Sequence, residues 1–170
     1  VLAWWLAADV FQWTSPYTLP GPGKVLHTFF LKFSTRSPDG ATMLQHMGSS
    51  VLTTLLGYAL GCIVGIPLGI LMAWYKPVDM FVRPLFDILK PIPGIAWIPV
   101  MIVFFGIGLM SKVMVIFISV LISVIINSYS GIRQTRDVHL WVGRTFGASN
   151  FNMLCRIAIP TALPFILTGM

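Results

Sequence analysis

Long apolar stretches alternate with short polar ones along the chain. The stretch from Ser49 to Trp74 carries no charged residue and is longer than the roughly 20 residues that a membrane helix needs. A second stretch, rich in isoleucine and valine, runs from Lys112 to Ile132. Further apolar stretches occupy residues 1–13 and begin again at Pro160. The pattern predicts an all-α membrane protein, a polytopic helical bundle that we expect to be truncated at both ends.

Three segments follow from this alternation. We expect residues 1–13 to be the end of a first transmembrane helix. Residues 14–48 are rich in Pro, Gly and Ser, and apolar residues recur there at helical spacing after Lys24, which predicts an extracytoplasmic connection with an amphipathic helix on the membrane face. Residues 49–170 are expected to form a partial transmembrane domain, interrupted by a polar loop at 133–160.

A stripe of small residues marks the first long span. Gly57, Gly61, Gly65 and Gly69 recur at every fourth position. Small residues at this spacing let a neighbouring helix backbone approach closely. We expect this stripe to serve packing within one chain in preference to a dimer face.

Polar side chains inside the apolar stretches are candidates for lining a transport pathway. Asp87 and Lys90 precede a run of prolines, so they either line a route with broken backbone or form an ion-paired entry at the membrane surface. Ser119, Ser123 and Asn127 form a polar stripe on one helical face. Such a stripe lines a pathway or makes hydrogen bonds between helices, and the sequence leaves both alternatives open.

The polar loop predicts two short helices around a glycine. Asp137 is placed to cap a first helix, which we expect to end at Gly147 because glycine takes the left-handed conformation at little cost. Ser149 is placed to cap a second helix that ends near Arg156. Pro160 then fits the first turn of another membrane segment. On the second helix, the spacing predicts one shared face for Phe151, Leu154, Cys155 and Ala158.

The same loop resembles the EAA loop in the permease subunits of binding-protein-dependent ABC importers. That pattern has Glu-Ala-Ala, then Gly, and later Ile-x-Leu-Pro. Gly147, Ile157 and Pro160 stand at the matching spacing, with Ile159 in place of the leucine. Residues 141–143 replace Glu-Ala-Ala by Trp-Val-Gly, which removes any polar contact that the glutamate would make.

Other segments resemble the nitrate, sulfonate and taurine branch of these permeases. They are residues 19–26, 65–69, 89–93, 104–108 and 129–133. The resemblance thus covers nearly the whole chain, and it implies a bundle of the type I ABC importer permease kind. It also implies a translocation pathway for a small solute such as a sulfonate, taurine or nitrate.

The resemblance further implies partners and a location. These are a separate ATP-binding subunit, a periplasmic or lipid-anchored solute-binding protein, a second permease copy in a homodimer, and the lipid of a bacterial cytoplasmic (inner) membrane, which the chain crosses several times. ATP and Mg would be bound by the ATPase subunit, and this chain would hold no cofactor.

The resemblance places coupling to the ATPase subunit in the loop between residues 138 and 156. The implied coupling residues are Val142, Gly143, Arg144, Thr145, Phe146, Gly147, Ala148, Ser149 and Phe151. The junction between loop and membrane helix would be formed by Ile157, Ile159 and Pro160. Gly147 would set the angle of the loop, and Arg144 and Phe146 would meet the partner. The alternative for Arg144 is an anchor to lipid headgroups.

Composition and charge narrow the classes of function. Hydrophobic residues make up 56% of the chain and charged residues 9%, against roughly a quarter charged in soluble domains. The net charge of +6 comes from scattered basic residues without an aromatic base-stacking stripe, so we expect no nucleic-acid partner. Four of these residues fall in the polar loop, which indicates a cytoplasmic position: Arg133, Arg136, Arg144 and Arg156.

The sequence lacks the motifs of an enzyme. It contains no Gly-x-x-x-x-Gly-Lys-Ser/Thr phosphate loop, so ATP hydrolysis would need a partner. It contains no glutamate, and its three histidines are scattered, so no metal site is expected. The alternatives to the importer subunit are a channel or secondary transporter that works without ATP and a membrane-embedded enzyme. The enzyme would need an acid pair, which Asp79, Asp87 and Asp137 do not form in the sequence.

Overall fold

The computed structural model describes residues 2–11, 18–36 and 40–170, and the regular elements in these ranges are helices. The chain divides into two compact units, Val1–Val51 and Leu52–Met170. In chain order the α-helices are α1 (Leu2–Trp5), α2 (Pro22–Ser34), α3 (Met43–Trp74), α4 (Lys76–Leu89), α5 (Trp97–Phe105), α6 (Leu109–Arg133), α7 (Asp137–Thr145), α8 (Asn150–Met153) and α9 (Ile159–Thr168). Two π turns, Leu6–Val10 and Leu154–Ala158, and a 3₁₀ turn, Gly94–Ala96, interrupt or join them.

The first unit contains α2, the helix expected in the connection after residue 14. It follows Gly21, which is extended, and has proline in its first turn, where a missing N–H costs nothing. The ring of Phe29 contacts those of Phe30 and Phe33 edge to face, at 5.6 and 5.3 Å between centroids. The expected segments 1–13 and 14–48 lie partly outside the described residues.

The described residues form an all-α membrane protein. Three helices are long and apolar enough to cross a membrane: α3, α6 and the helix Asn150–Thr168 that contains α8 and α9. A fourth candidate is a broken span, because α4 and the segment Gly94–Phe105 are bent by 81°. The polytopic helical fold predicted from the sequence is therefore confirmed.

The glycine stripe of α3 lies against α6 within the second unit. A methyl group added at Gly57 would lie 2.7 Å from Ile116 Cβ, and one at Gly61 would lie 2.6 Å from Val120 Cγ1. Gly69 approaches α6 as closely, since its methyl group would lie 2.9 Å from the backbone oxygen of Ile125. The two helices thus meet at a distance that only glycine permits.

A core cluster in the second unit joins the end of α6 to the segment that follows the loop. Its buried members are Ile132, Leu154, Ala158, Ala162 and Ile166. Side chains near the end of α3 pack against them, including Ile66 and Ile70. The helix after the loop is therefore held between α3 and α6 by apolar packing.

The prediction that Asp137 caps the first loop helix is wrong by one residue. Arg136 occupies the cap position with extended backbone, at φ −66° and ψ 133°, and its side chain makes no capping hydrogen bond. Asp137 is the first helical residue. A carboxylate in the first turn still interacts favourably with the positive end of the helix dipole.

The predicted break before Pro160 is also wrong, because the helix runs on from Asn150 to Thr168. The π turn at Leu154–Ala158 makes this possible: the Ile159 N–H donates to Leu154 O, five residues back. Pro160 then sits in the first turn of α9, where its missing N–H costs little. The Thr161 hydroxyl donates to Ile157 O at 2.7 Å. Pro164 lies inside α9.

The π turn also overturns the predicted face of the second helix. Phe151 and Cys155 are exposed, whereas Leu154 and Ala158 are buried. Met153 is buried beside them. A π turn contains one residue more than an α turn, so side chains on its two sides do not keep the spacing of a regular helix.

Candidate functional site

The loop after α6 is rigidly built around Gly147. The Gly147 N–H donates to Arg144 O at 2.9 Å, and the Ala148 N–H donates to Gly143 O at 3.0 Å. This pair of bonds is a Schellman motif, which satisfies the last carbonyls of α7. Its central residue has to take the left-handed conformation, and Gly147 has φ +76°. The predicted glycine stop is confirmed.

Ser149 begins the next helix, as predicted. Its hydroxyl accepts a hydrogen bond from the Asn152 N–H at 3.3 Å, and its carbonyl accepts from the Met153 N–H at 2.9 Å. Only Ala148 therefore separates the stop of α7 from the start of the following helix, and two hydrogen-bonded caps fix the angle between them.

Replacing Ser149 by alanine is expected to lower stability by about 1 kcal/mol, because the Asn152 N–H loses its acceptor. Ser149→Asp is the matched control, since aspartate also caps helices. The measurement is the melting midpoint in detergent, which should fall by about 2–4 °C in the alanine variant only. An alanine variant as stable as the aspartate variant would show that the cap contributes nothing.

The inner side of α7 rests on the helix that follows it. Gly143 is the buried residue of α7. A methyl group added there would lie 2.9 Å from Ile157 Cδ1 and 3.4 Å from Met153 Cγ. Gly143 therefore packs inward, although it was expected among residues that contact a partner. The contact ties α7 to the π turn and so to the core cluster.

The outer side of α7 exposes large apolar side chains. We define the α7 outer face as Val138, Trp141, Val142 and Phe146, whose exposed fractions are 52%, 64%, 51% and 86%. Val138 and Trp141 are absent from the residues named from the resemblance. Val138 lies three positions before Trp141 and four before Val142, and this helical spacing is the sequence signal that would have found both residues.

The other predicted loop residues surround this face. Arg144 is exposed in the last turn of α7, where a cation interacts favourably with the helix dipole. The Thr145 hydroxyl donates to Trp141 O at 3.0 Å. Phe151 is 65% exposed. The three junction residues lie just beyond: Ile157 and Ile159 are half-buried, and Pro160 is exposed.

Ser119, Ser123 and Asn127, the predicted polar stripe of α6, donate hydrogen bonds to backbone carbonyl groups. The Ser123 hydroxyl donates to Gly169 O at 3.4 Å, and Asn127 Nδ2 donates to Ser123 O at 2.9 Å. The Ser119 hydroxyl donates to Val115 O at 2.9 Å. These three residues are not brought together with Asp87 and Lys90, and whether either group lines a pathway stays a prediction.

Asp87 and Lys90 line a cavity between α4 and α6. Its volume is about 170 Å³, and Tyr129 and Ser130 line it from α6. Arg83 also lines it, so the three charged residues of one α4 face share this space. Apolar side chains of α3, α4 and α6 complete the lining.

Arg83 is held at the cavity by several bonds. Its guanidinium donates to both carboxylate oxygens of Asp79, with Nη2 2.9 Å from each, and Nη2 also donates to the Tyr129 hydroxyl. The guanidinium lies 5.1 Å from the centroid of the Tyr129 ring, and that of Arg133 lies 6.0 Å from it. Arg83 thus forms an ion pair with Asp79 on its own helix, whereas the ion-paired alternative for Asp87 and Lys90 stays untested.

The sequence matches one family of membrane transport components. Residues 65–170 match the family described as "Binding-protein-dependent transport system inner membrane component". The loop, α6 and the cavity residues all lie inside the matched range.

Individual relatives match over most of the chain. The taurine transport system permease protein TauC of Escherichia coli is 31% identical over 98% of this chain and 60% of its own length. The glycine betaine/carnitine/choline transport system permease protein OpuCD of Bacillus subtilis is 31% identical over 79% of this chain and 58% of its own length. The bicarbonate transport system permease protein CmpB of Synechococcus elongatus is 26% identical over the whole chain and 63% of its own length. The chain thus spans about three fifths of these relatives.

Proposed function

Because the chain belongs to the family of binding-protein-dependent transport system inner membrane components, we propose that it is part of the permease subunit of an ATP-driven importer. In this role it forms a pathway for a small solute and couples that pathway to a separate ATPase subunit through residues 138–156. It has no catalytic residue of its own, and ATP with Mg is bound by the partner.

The observation that carries this proposal is the α7 outer face. Exposed aromatic residues are enriched at protein interfaces and dominate their binding energy. Here Trp141 and Phe146 are 64% and 86% exposed on a short helix whose C-terminal end is fixed by the Schellman motif at Gly147. A short helix held in this way transmits a movement that a flexible loop would absorb.

A continuous packed route leads from this face into the membrane helices. Gly143 rests against Met153 and Ile157, which flank and form part of the π turn. Leu154 and Ala158 of the same turn pack with Ile132 at the end of α6. A displacement of α7 therefore acts directly on the helix Asn150–Thr168 and, through the core cluster, on α3 and α6.

The other partners follow from the class of importer. A periplasmic or lipid-anchored solute-binding protein delivers the solute on the outer side, and a second permease copy completes the pathway as a homodimer in the lipid of a bacterial inner membrane. The cytoplasmic position that we propose for the loop, on the side of the ATPase subunit, is supported by four basic residues within it, Arg133, Arg136, Arg144 and Arg156.

The transported solute is a small polar molecule, and we propose the class of sulfonates, taurine and nitrate. The relatives include permeases named for taurine and for bicarbonate. These names favour small, charged solutes.

Phe146→Ala is expected to weaken binding of the ATPase subunit about 30-fold, because truncating a central aromatic at an interface costs on the order of 2 kcal/mol. Phe81→Ala is the matched control: Phe81 lies on α4 and has the same exposed fraction, 86%. The measurement is co-purification of the ATPase subunit with the full-length permease after gentle extraction. Equal retention by both variants would contradict docking on the α7 outer face, and a wild-type permease that retains no ATPase subunit would contradict the importer role.

A further inference from the structure

The cavity between α4 and α6 presents two opposite charges that no other described side chain satisfies. Asp87 and Lys90 are one helical turn apart on α4, and both are exposed. Neither forms an ion pair or a side-chain hydrogen bond with any residue in the described ranges. Charged groups inside membrane segments are costly and normally pair with a partner or mark a solute site. These two have to be satisfied by something other than the described part of the chain.

The third charge at the cavity is already satisfied. Asp79 accepts two bonds from Arg83 Nη2 at 2.9 Å, and the Tyr129 hydroxyl accepts a further one. The Arg83–Asp79 pair is neutral as a unit, so it neither attracts an anion nor repels a cation strongly. The free charges that line the cavity are therefore one cation, Lys90, and one anion, Asp87.

We propose that this cavity binds a small zwitterion that carries one amino group and one anionic group. The ligand's anionic group pairs with Lys90, and its ammonium group pairs with Asp87. A plain anion would meet repulsion from Asp87, and a plain cation would meet repulsion from Lys90, so the arrangement selects against both. The inference rests on the proposed function and narrows its solute class, from sulfonates, taurine and nitrate to zwitterions such as taurine.

The size of the cavity fits such a ligand. Its 170 Å³ corresponds to roughly six times the volume that one water molecule occupies in the liquid. Side chains three positions apart on a helix have Cβ atoms about 5–6 Å apart. An amino group and an anionic group joined by two carbon atoms are separated by roughly 4–5 Å on ordinary bond lengths. The Ser130 hydroxyl, which has no hydrogen-bond partner within residues 2–11, 18–36 and 40–170, adds a polar group to the lining.

The same chemistry exists in a dissolved solute and in a lipid headgroup. Taurine and the headgroup of phosphatidylethanolamine both carry an amino group two carbon atoms away from an acidic group. The experiment therefore uses full-length permease in nanodiscs of phosphatidylglycerol alone and, in parallel, in discs that contain phosphatidylethanolamine. A lower taurine affinity in the second discs assigns the site to the headgroup, and an unchanged affinity assigns it to the dissolved solute.

The binding test compares three molecules of similar size. Radiolabelled taurine is the probe, without nucleotide, and unlabelled ethanesulfonate and ethylamine compete with it as the anion and the cation alone. Each competitor is expected to bind at least tenfold more weakly than taurine. Ethanesulfonate that competes as well as taurine, or taurine that does not bind saturably, would overturn the proposal.

Variants of Asp87 and Lys90 test each charge separately, because each should lose affinity for taurine and gain affinity for one competitor. Asp87→Asn should weaken taurine about tenfold while strengthening ethanesulfonate, and Lys90→Gln should weaken taurine while strengthening ethylamine. A misfolded variant loses affinity for all three molecules, so the gain identifies a direct effect. Lys112→Gln is the matched control, since Lys112 is an exposed lysine near the opposite end of α6. An equal loss in Lys112→Gln and Lys90→Gln would refute the assignment.

Docking of the ATPase subunit on the α7 outer face and zwitterion binding in the cavity can be tested independently. Phe146→Ala should keep its taurine affinity while losing the ATPase subunit, because the α7 outer face does not line the cavity. A permease that retains its ATPase subunit but shows no preference for the zwitterion contradicts the cavity proposal alone.

Discussion

Replacing Gly147 by valine is expected to lower solute uptake by about 30- to 100-fold while the permease stays inserted in the membrane. Gly147 has φ +76°, and a β-branched residue in this conformation is strained by about 2–3 kcal/mol. Nothing lies within 4 Å of the position where its Cβ would be, so the strain comes from the backbone and not from a clash. The loop relieves the strain by giving up the Schellman bonds, and α7 then loses its fixed angle.

The measurement is uptake per permease molecule in the membrane, together with ATP hydrolysis by the assembled importer. Hydrolysis should persist without uptake. Gly106→Val is the control for backbone strain elsewhere: Gly106 has φ +73° and ψ −178°, where valine is strained at least as much, and it lies with open surroundings in the turn between α5 and α6. Gly147→Asn should retain most uptake, since asparagine tolerates the left-handed conformation. Equal losses in the two valine variants would show that backbone strain acts through stability alone.

Gly57→Ala is expected to destabilise the protein by about 2–3 kcal/mol, although alanine is the better helix former. The added methyl group would lie 2.8 Å from the backbone oxygen of Val113 and 2.7 Å from Ile116 Cβ. Backbone cannot move aside as a side-chain end can, so α3 and α6 have to separate along their contact. Such overpacking outweighs the gain in helix propensity of about 1 kcal/mol.

Gly48→Ala is the control, and its expected effect on stability has the opposite sign. Gly48 lies in α3 as well, and nothing stands within 4 Å of its Cβ position. Gly48→Ala is therefore expected to be neutral or to stabilise the protein by up to about 1 kcal/mol. Melting midpoints in detergent should fall by about 4–12 °C for Gly57→Ala and should not fall for Gly48→Ala. A fall of similar size in both variants would contradict close packing at Gly57.

Much of the fold could be predicted from periodicity, because membrane spans leave a strong signal. The spans at Ser49–Trp74 and Lys112–Ile132 lie within α3 and α6, and the glycine stripe meets α6 as its spacing indicated. Gly147 and Ser149 were predictable for a local reason: their backbone conformations and caps depend on residues within four positions along the chain.

The features that were missed depend on tertiary context. In the sequence, Pro160 indicates a break between two helices. In the structure a π turn keeps the helix continuous, and this turn depends on the packing of Leu154 and Ala158 in the core cluster. The inward position of Gly143 depends on Ile157, which is distant in sequence. The cavity likewise needs α4 to fold back beside Tyr129, and no local pattern in the sequence specifies that approach.

The wide turn at Leu154–Ala158 fixes how many residues the chain can hold between the loop and the membrane. The π turn takes up its one extra residue locally, so the helical segments on its two sides keep their relative orientation. Deleting one residue inside the turn would leave ordinary α geometry with Ser149 and α7 on their present side of the molecule. Inserting or deleting a residue in the regular helix after the turn would instead rotate everything before it by about 100° around the axis and re-aim the α7 outer face.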